Sequence, residues 1–466
     1  MKIKEIVAVM LCLLFSGVKA QSLTEKLDEF VSSSELLETS EVGISVYDLT
    51  AGKPVYTHQD KKLYRPASIE KIITTVTALA RLGTGFKFQT GLAYTGTITR
   101  DSVLYGDLYV VGGFDPEFME DDLGRFTKSV YNAGIRKVEG KLIGDVSLTD
   151  SIYWGPGWSW DDTPYSFQPY LSPLMLNRGC VTVCLTPAAK GEKPEVEIQP
   201  ESDYYSVDNQ AFSLEPDSGK LVVTRNWLSN GNRIVIKGNV SRKTSRTINM
   251  YSSKDFFLNT FAYQLRQQGI RVDSVSYGLC PEEKTTLYTI RRPLVPVLYR
   301  ALKNSDNLAA ESIFYQLGIE RSKEPYSGTY ESLGAICSFM ENVIGKQFDD
   351  YKILDGSGVS LYNYISPELL MEYLKYAHAH PAIFKPFYDA LPVAGVDGTL
   401  GGRMKKTKAF RNVRAKTGTV TGISSLAGYV TTANKHLLAF VIINQNVLKS
   451  KEARKFQDNI CEILAK

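Results

Sequence analysis

The stretch PASIEK, residues 66–71, sets Ser68 and Lys71 three residues apart. Pro66 stands ahead of a helical pattern in which Ile69, Ile72, Ile73, Val76, Leu79 and Ala80 recur at spacings of three and four. That periodicity turns one face toward a core and places Ser68 in the first turn of the predicted helix. Lys71 follows on the same face. A serine hydroxyl is a poor nucleophile until a base takes its proton, and the chain holds only four histidines. Lysine can be that base only when largely uncharged. Its pKa must then fall from about 10.4 to near 7, about 4 kcal/mol of preference for the neutral form. Burial and a second cation both push in that direction.

Outward from this helix the pattern is mixed. VGISVYDLTAGKPVYTH (42–58) alternates on either side of Ala51-Gly52-Lys53, as a hairpin does. The stretch 414–446 reads as three successive strands, broken at Gly422 and at Asn434-Lys435. A terminal helix, 448–464, carries Ala453, Phe456, Ile460, Ile463 and Leu464 on one side. Between these ends, 88–150 is strand-rich and 152–167 is an aromatic loop. Short β-runs follow, and a helix over 253–269 closes at Gly269. The fold class expected is α+β with several domains.

The Ser-x-x-Lys spacing alone carries little, since Ser16 and Lys19 repeat it. Its company carries more. Ser305-Asp306-Asn307 is the only Ser-x-Asn in the chain and precedes a helical run, while Lys416-Thr417-Gly418 is the only Lys-Thr-Gly and lies on a predicted strand. Ser-x-x-Lys, Ser-Asp-Asn and Lys-Thr-Gly, in that order, are the catalytic set of penicillin-binding proteins and class A β-lactamases. The chemistry suits the residue types. Lys71 can take the Ser68 proton, with Lys416 as the second cation. Ser305 can relay a proton to the departing amine, and Asn307 can hold Lys71 or a substrate amide. Lys416 and Thr417 offer a charge and a hydroxyl to a carboxylate. Gly418 lets a substrate backbone approach, and the N–H groups of Ser68 and Thr419 can form an oxyanion hole.

With these motifs, and with GDLYVVGGFDP (106–116), GPGWSWDD (155–162), DGSGVS (355–360) and PVAGVDGTL (392–400), the chain resembles the class C low-molecular-weight penicillin-binding proteins, D-alanyl-D-alanine carboxypeptidases/endopeptidases. The resemblance implies a penicillin-binding/serine β-lactamase-like transpeptidase domain, an antiparallel sheet flanked by helices, interrupted by two inserted, largely β domains. The limits implied are 21–87 and 286–466 for the catalytic domain, 88–164 and 246–285 for the second, and 165–245 for the third. It implies Ser68 as acylated nucleophile, Lys71 as proton acceptor, Ser305 and Asn307 as the second catalytic element, and Lys416, Thr417, Gly418 and Thr419 as the substrate-flanking strand. Peptidoglycan stem peptides and β-lactam antibiotics are the implied partners. Asp355 and Ser357 either line the cleft or only make a tight turn. Asp161 and Asp162 either face the substrate's free amine or are solvated. Leu361 replaces a basic residue that similar chains often carry after this serine-rich turn.

Residues 1–20 read as a secretory signal cut after Ala20, with an uncleaved anchor as the alternative that Glu5 leaves open. An exported, periplasmic protein is expected. The net charge is +4, and removing Lys2, Lys4, Lys19 and Glu5 leaves +2, no footprint for nucleic acid. No later stretch has the length of a membrane span. Of the five remaining cysteines, Cys180 and Cys184 would sit about 13 Å apart on a strand, too far to bridge. No second ligand pair supports zinc, and neither metal nor cofactor is expected. The rival activities are a β-lactamase, which lacks support because no Glu-x-x-Leu-Asn sequence is present, and a non-catalytic wall-binding scaffold with a relic site.

Overall fold

The computed structural model describes residues 21–322 and 326–466. The export signal expected over 1–20 lies outside the described residues. Among those described, no helix is long and apolar enough to cross a membrane.

The hairpin read from alternation is present. Glu41–Asp48 pairs antiparallel with Lys53–His58, and Gly52 takes the left-handed φ of +68° that the turn requires. The three C-terminal strands, Arg414–Val420, Gly422–Thr431 and Leu437–Val447, join this hairpin in one antiparallel sheet. Leu437–Val447 lies against Glu41–Asp48, so the chain's two ends meet at the middle of the sheet. Both faces are covered, which is why the two central strands are buried almost along their whole length. On one face Val42, Ile44, Leu438 and Phe440 pack against Leu27 of helix Leu23–Ser32 and Phe456 and Ile460 of helix Ser450–Leu464. On the other, Ala427, Tyr429, Val441 and Ile443 meet Ile72, Ile73 and Val76 of helix Lys71–Arg81 and Leu370 and Leu374 of helix Pro367–Ala379.

One local expectation is corrected. Ser68 does not lie in the first α-helical turn. Ala67–Glu70 forms a separate 3-10 turn, and the α-helix begins at Lys71. Ala67 takes a left-handed φ of 50°, a conformation that costs an alanine about 1–3 kcal/mol unless its surroundings impose it. They do so here. The Pro66 carbonyl accepts the Ser425 hydroxyl at 2.7 Å, which ties the turn to the sheet.

The chain leaves this unit through Lys87–Tyr94 and returns through Thr285–Pro293, two strands paired antiparallel with each other. Leu108–Val111, Leu142–Asp145 and Val275–Tyr277 extend their sheet. The helices Glu120–Asn132 and Ser253–Gln267 supply Phe126, Phe257 and Phe261 to its core. Gly269 follows the second helix at φ +76°, as its sequence position suggested. Two three-stranded sheets lie further out. Cys180–Thr186 is flanked by Glu195–Gln199 and Thr244–Asn249, and Arg233–Asn239 by Ser206–Phe212 and Val222–Arg225. The sequence-derived limits at 246 and 286 thus fall inside strands that pair within inserted sheets.

Candidate active site

Three segments converge on one point. The 3-10 turn offers Ser68, and the helix that follows buries Lys71 completely. The Asp306 carboxylate accepts the Ala309 N–H at 2.9 Å, capping helix Asn307–Ser322 and placing Asn307 on its first residue. Ser305, just before, takes a left-handed φ of 60°. The edge strand Arg414–Val420 carries Lys416, also completely buried.

Lys71 Nζ lies 2.8 Å from Ser68 Oγ, 2.8 Å from Asn307 Oδ1 and 2.7 Å from the Ser357 carbonyl oxygen. The last two are acceptors only. The Asn307 amide nitrogen faces the Phe167 carbonyl at 2.9 Å and Gln168 Oε1 at 3.2 Å, which fixes its oxygen toward the lysine. A neutral Lys71 therefore donates its two hydrogens to Asn307 and Ser357, and its lone pair has one available donor, the Ser68 hydroxyl. Burial lowers the Lys71 pKa to about 8, against the pull of Asp355, Glu311, Asp306 and Glu70.

Lys416 Nζ donates to Ser305 Oγ at 2.8 Å and to the Thr417 carbonyl at 2.6 Å. Burial holds it well below the ordinary ammonium range, and the Lys71 charge lowers it further. Burial and a second cation, Lys416, were both expected to keep Lys71 uncharged. Burial does most of that for Lys71, and the repulsion weighs on Lys416 instead.

Behind Lys71 lies a group of buried carboxyls, of which the sequence reading had singled out Asp355 but not Glu311 or Glu70. Asp355 accepts from Trp158 Nε1, the backbone N–H groups of Gly358 and Ser360, and Asn363 Nδ2, all within 2.8 Å. Glu311 accepts from the Gly356 N–H, and burial raises its pKa to about 8. Glu70 is wholly buried, neither of its oxygens meets a donor, and burial and the neighbouring Asp355 and Glu311 hold it well above the carboxylate range. The only sequence sign was a glutamate between Ile69 and Ile72 in an apolar run.

Ser68, Lys71, Ser305, Asn307 and Lys416 are thus brought together, and the other expected residues are placed differently. Ser357 does not present a hydroxyl to a ligand. It is completely buried, and its carbonyl holds Lys71. Asp161 is exposed in the turn Trp160–Asp162 and is joined to the cluster by no hydrogen bond. Thr419 is exposed on the edge strand, while Thr417 Oγ1 bonds Thr399 Oγ1 at 2.8 Å. The room left by Gly418 is filled from inside. A Cβ there would stand 2.9 Å from the Pro66 carbonyl and 3.0 Å from the Ser68 nitrogen, so this glycine admits the serine's own turn to the strand. A cavity of about 410 Å³ opens beside Ser305 and Asn307, with Phe167 and Arg178 on its far wall.

Gly358 closes the turn from the other side. At φ +77°, a Cβ would lie 2.1 Å from the Ala67 carbonyl oxygen. Gly358→Ala is expected to lower the unfolding free energy by about 2–4 kcal/mol through backbone strain and overpacking. A shift of the urea midpoint measures it, and an unchanged midpoint would show that the turn yields freely.

The profile of the D-Ala-D-Ala carboxypeptidase 3 (S13) family matches residues 23–466. The chain belongs to that family. Among its S13 relatives, a D-alanyl-D-alanine carboxypeptidase DacB from Haemophilus influenzae is 27% identical over 439 residues, covering 92% of this chain and 88% of the relative. A D-alanyl-D-alanine carboxypeptidase from Actinomadura sp. strain R39 is 29% identical over 452 residues, covering 92% and 82%. The crystal structure of penicillin binding protein 4 from Haemophilus influenzae superposes with a TM-score of 0.83 at 24% identity, over 94% of this chain and 99% of that one. A form of the same protein complexed with a β-lactam gives 0.76 at 23% identity, over 95% and 99%. The D-alanyl-D-alanine carboxypeptidase family and the penicillin-binding fold that the resemblance implied are those found.

Proposed function

We propose that this S13 enzyme hydrolyses the D-Ala-D-Ala bond, or the D-Ala–diamino-acid cross-link, of peptidoglycan stem peptides through an acyl-Ser68 intermediate. The observation that carries this reading is the lone pair of Lys71, left to the Ser68 hydroxyl by two acceptor-only neighbours. Lys71 takes the Ser68 proton as Oγ attacks the substrate carbonyl, and the charge that develops on oxygen is met by the N–H groups of Ser68 and Thr419. The proton taken by Lys71 is relayed through Ser305, held by Lys416, to the departing nitrogen, which leaves Lys71 neutral for the second step. The C–N bond breaks, and D-alanine or the neighbouring strand's amine leaves. Water then attacks the ester, gives its proton to Lys71, and restores the Ser68 hydroxyl.

A substrate carboxylate at the strand would favour the charged form of Lys416, so binding and charging are coupled there. Asn307 acts as a positioning residue, since its amide is committed to Lys71 and to the inserted loop. β-Lactams would acylate Ser68 by the same attack, in keeping with the β-lactam carried by the Haemophilus protein. Export to the periplasm follows from the signal-like residues 1–20 and from the location of the substrate. We also place the catalytic domain at 21–86 and 294–466, because Lys87 and Pro293 begin and end a shared strand pair.

Purified cross-linked muropeptides, digested and analysed by mass spectrometry, test the reading. The expected products have lost a terminal alanine or have parted into monomers. Intact substrate after prolonged digestion would refute it.

A further inference from the structure

A second concave surface lies apart from the residues around Ser68. Two adjoining clefts, of about 300 and 450 Å³, share Trp154, Tyr170 and Tyr251 as a common wall. The rings meet in two groups that line one cleft. Trp154 and Tyr170 have centroids 5.0 Å apart, Tyr170 and Tyr251 5.1 Å, and Trp160 and Trp227 5.2 Å. Trp160 is 67% exposed and Leu228, at the same rim, 77%. Large apolar side chains left in water at one place mark a surface that meets a ligand.

The charged side chains lining or underlying these clefts are held by neutral groups of the protein. Lys254 Nζ bonds Tyr153 Oη at 2.9 Å and lies 4.4 Å from the Tyr277 ring centre. Asp255 accepts the hydroxyls of Ser252 and Tyr277. Arg225, buried beneath, donates to Thr163, Asn249 and Gly231. A groove for single-stranded nucleic acid would pair its rings with free cations, and a charged peptide would need a free counter-charge. An aromatic groove whose lining charges are tied up by the protein's own polar groups suits a neutral polymer with apolar faces and polar edges. Sugar rings have that form, since their axial C–H groups make flat apolar faces and their hydroxyls and amides lie at the rim.

The groove also stands where such a polymer would pass. Trp154 is 5.5 Å from Trp158, whose indole N–H donates to Asp355, two residues from the Ser357 carbonyl that holds Lys71. The segment from Trp160, in the groove, to Phe167, on the cavity beside Ser305, is seven residues long and spans at most about 25 Å. A four-residue stem peptide with its end at Ser68 carries its sugar about 14 Å away, a distance of the same order as that span.

We infer that the groove bounded by Trp154, Trp160, Trp227 and Tyr251 binds the glycan strand of the peptidoglycan whose stem peptide is being cut. This rests on the proposed function for its substrate, yet it is tested without catalysis. Glycan strands stripped of peptide are titrated against the full chain, reading tryptophan fluorescence, and against the Trp160→Ala/Trp227→Ala and Leu228→Asn variants. Leu228 is exposed, so its variant also serves if the double variant fails to fold. Wild type and Ser68→Ala are expected to bind alike, with affinity reduced at least tenfold in the double variant and severalfold in Leu228→Asn. All groove variants that fold should cleave a sugar-free pentapeptide at wild-type rate but release less D-alanine from intact wall. No binding by wild type, or equal binding by the folded variants, overturns the inference. Strand binding without pentapeptide cleavage would instead leave the groove standing and refute the hydrolase reading.

Discussion

Ser68→Ala is expected to abolish covalent labelling by a fluorescent penicillin and to cut D-alanine release by about a million-fold, the scale seen when the nucleophile of a serine hydrolase is removed. The fold should survive. Ser68 is only partly buried, and the one side-chain bond that it makes is to Lys71, so the stability change should stay within about 1.5 kcal/mol. The remaining anchors of the turn belong to its neighbours, notably the Pro66 carbonyl on Ser425. Equal labelling of the variant and wild type would assign the acylated residue elsewhere and end the mechanism.

The second large effect is in pH. A protonated Lys71 has no lone pair for the Ser68 proton, so kcat/KM should follow the neutral fraction. With a pKa of about 8, the rate rises nearly tenfold per pH unit below that point and levels off above it. Between pH 6 and pH 8 the gain is roughly 50-fold. Lys71→Arg, which keeps its charge throughout, should lower the rate by about 10² to 10⁴ and remove the rising limb. A wild-type profile that is flat from pH 6 to pH 9 would rule out a titrating lysine. The burial that lowers this pKa also makes the arrangement sensitive to water. Any substitution that opens a path from the cavity beside Asn307 to Lys71 would move the limb toward higher pH.

Much of the catalytic fold could be read directly, because its elements repeat at their own periods. The alternation over 42–58 and 414–446 and the three-four spacing over 69–80 depend on which face meets the core, and local sequence records that. Strand partners are another matter. Nothing near Lys87 or Thr285 says that these segments, almost two hundred residues apart, lie side by side, and the limits drawn at 246 and 286 cut through strands for that reason. The site divides in the same way. The nucleophile, both lysines and Asn307 announce themselves in triplets of fixed order. The left-handed Ala67 does not, since Ser425 and Gly358 impose it from distant parts of the chain. Ser357 misled because a serine in a cleft suggests its hydroxyl, whereas its carbonyl does the holding. Glu70 and Glu311 went unnoticed because carboxylates in a sequence look solvated until the packing around them is known.

The strand pair that carries the chain out and back has a consequence for separability. The Leu294 N–H donates to the Phe86 carbonyl at 2.9 Å, so a shortened polypeptide joining these two residues would seal with scarcely a gap. Such an excision would nevertheless strip Asn307 of its Phe167 and Gln168 acceptors and Asp355 of its indole donor. The seam that makes the outer modules removable in outline is the one across which the reactive centre is braced, and autonomy of folding there does not amount to autonomy of chemistry.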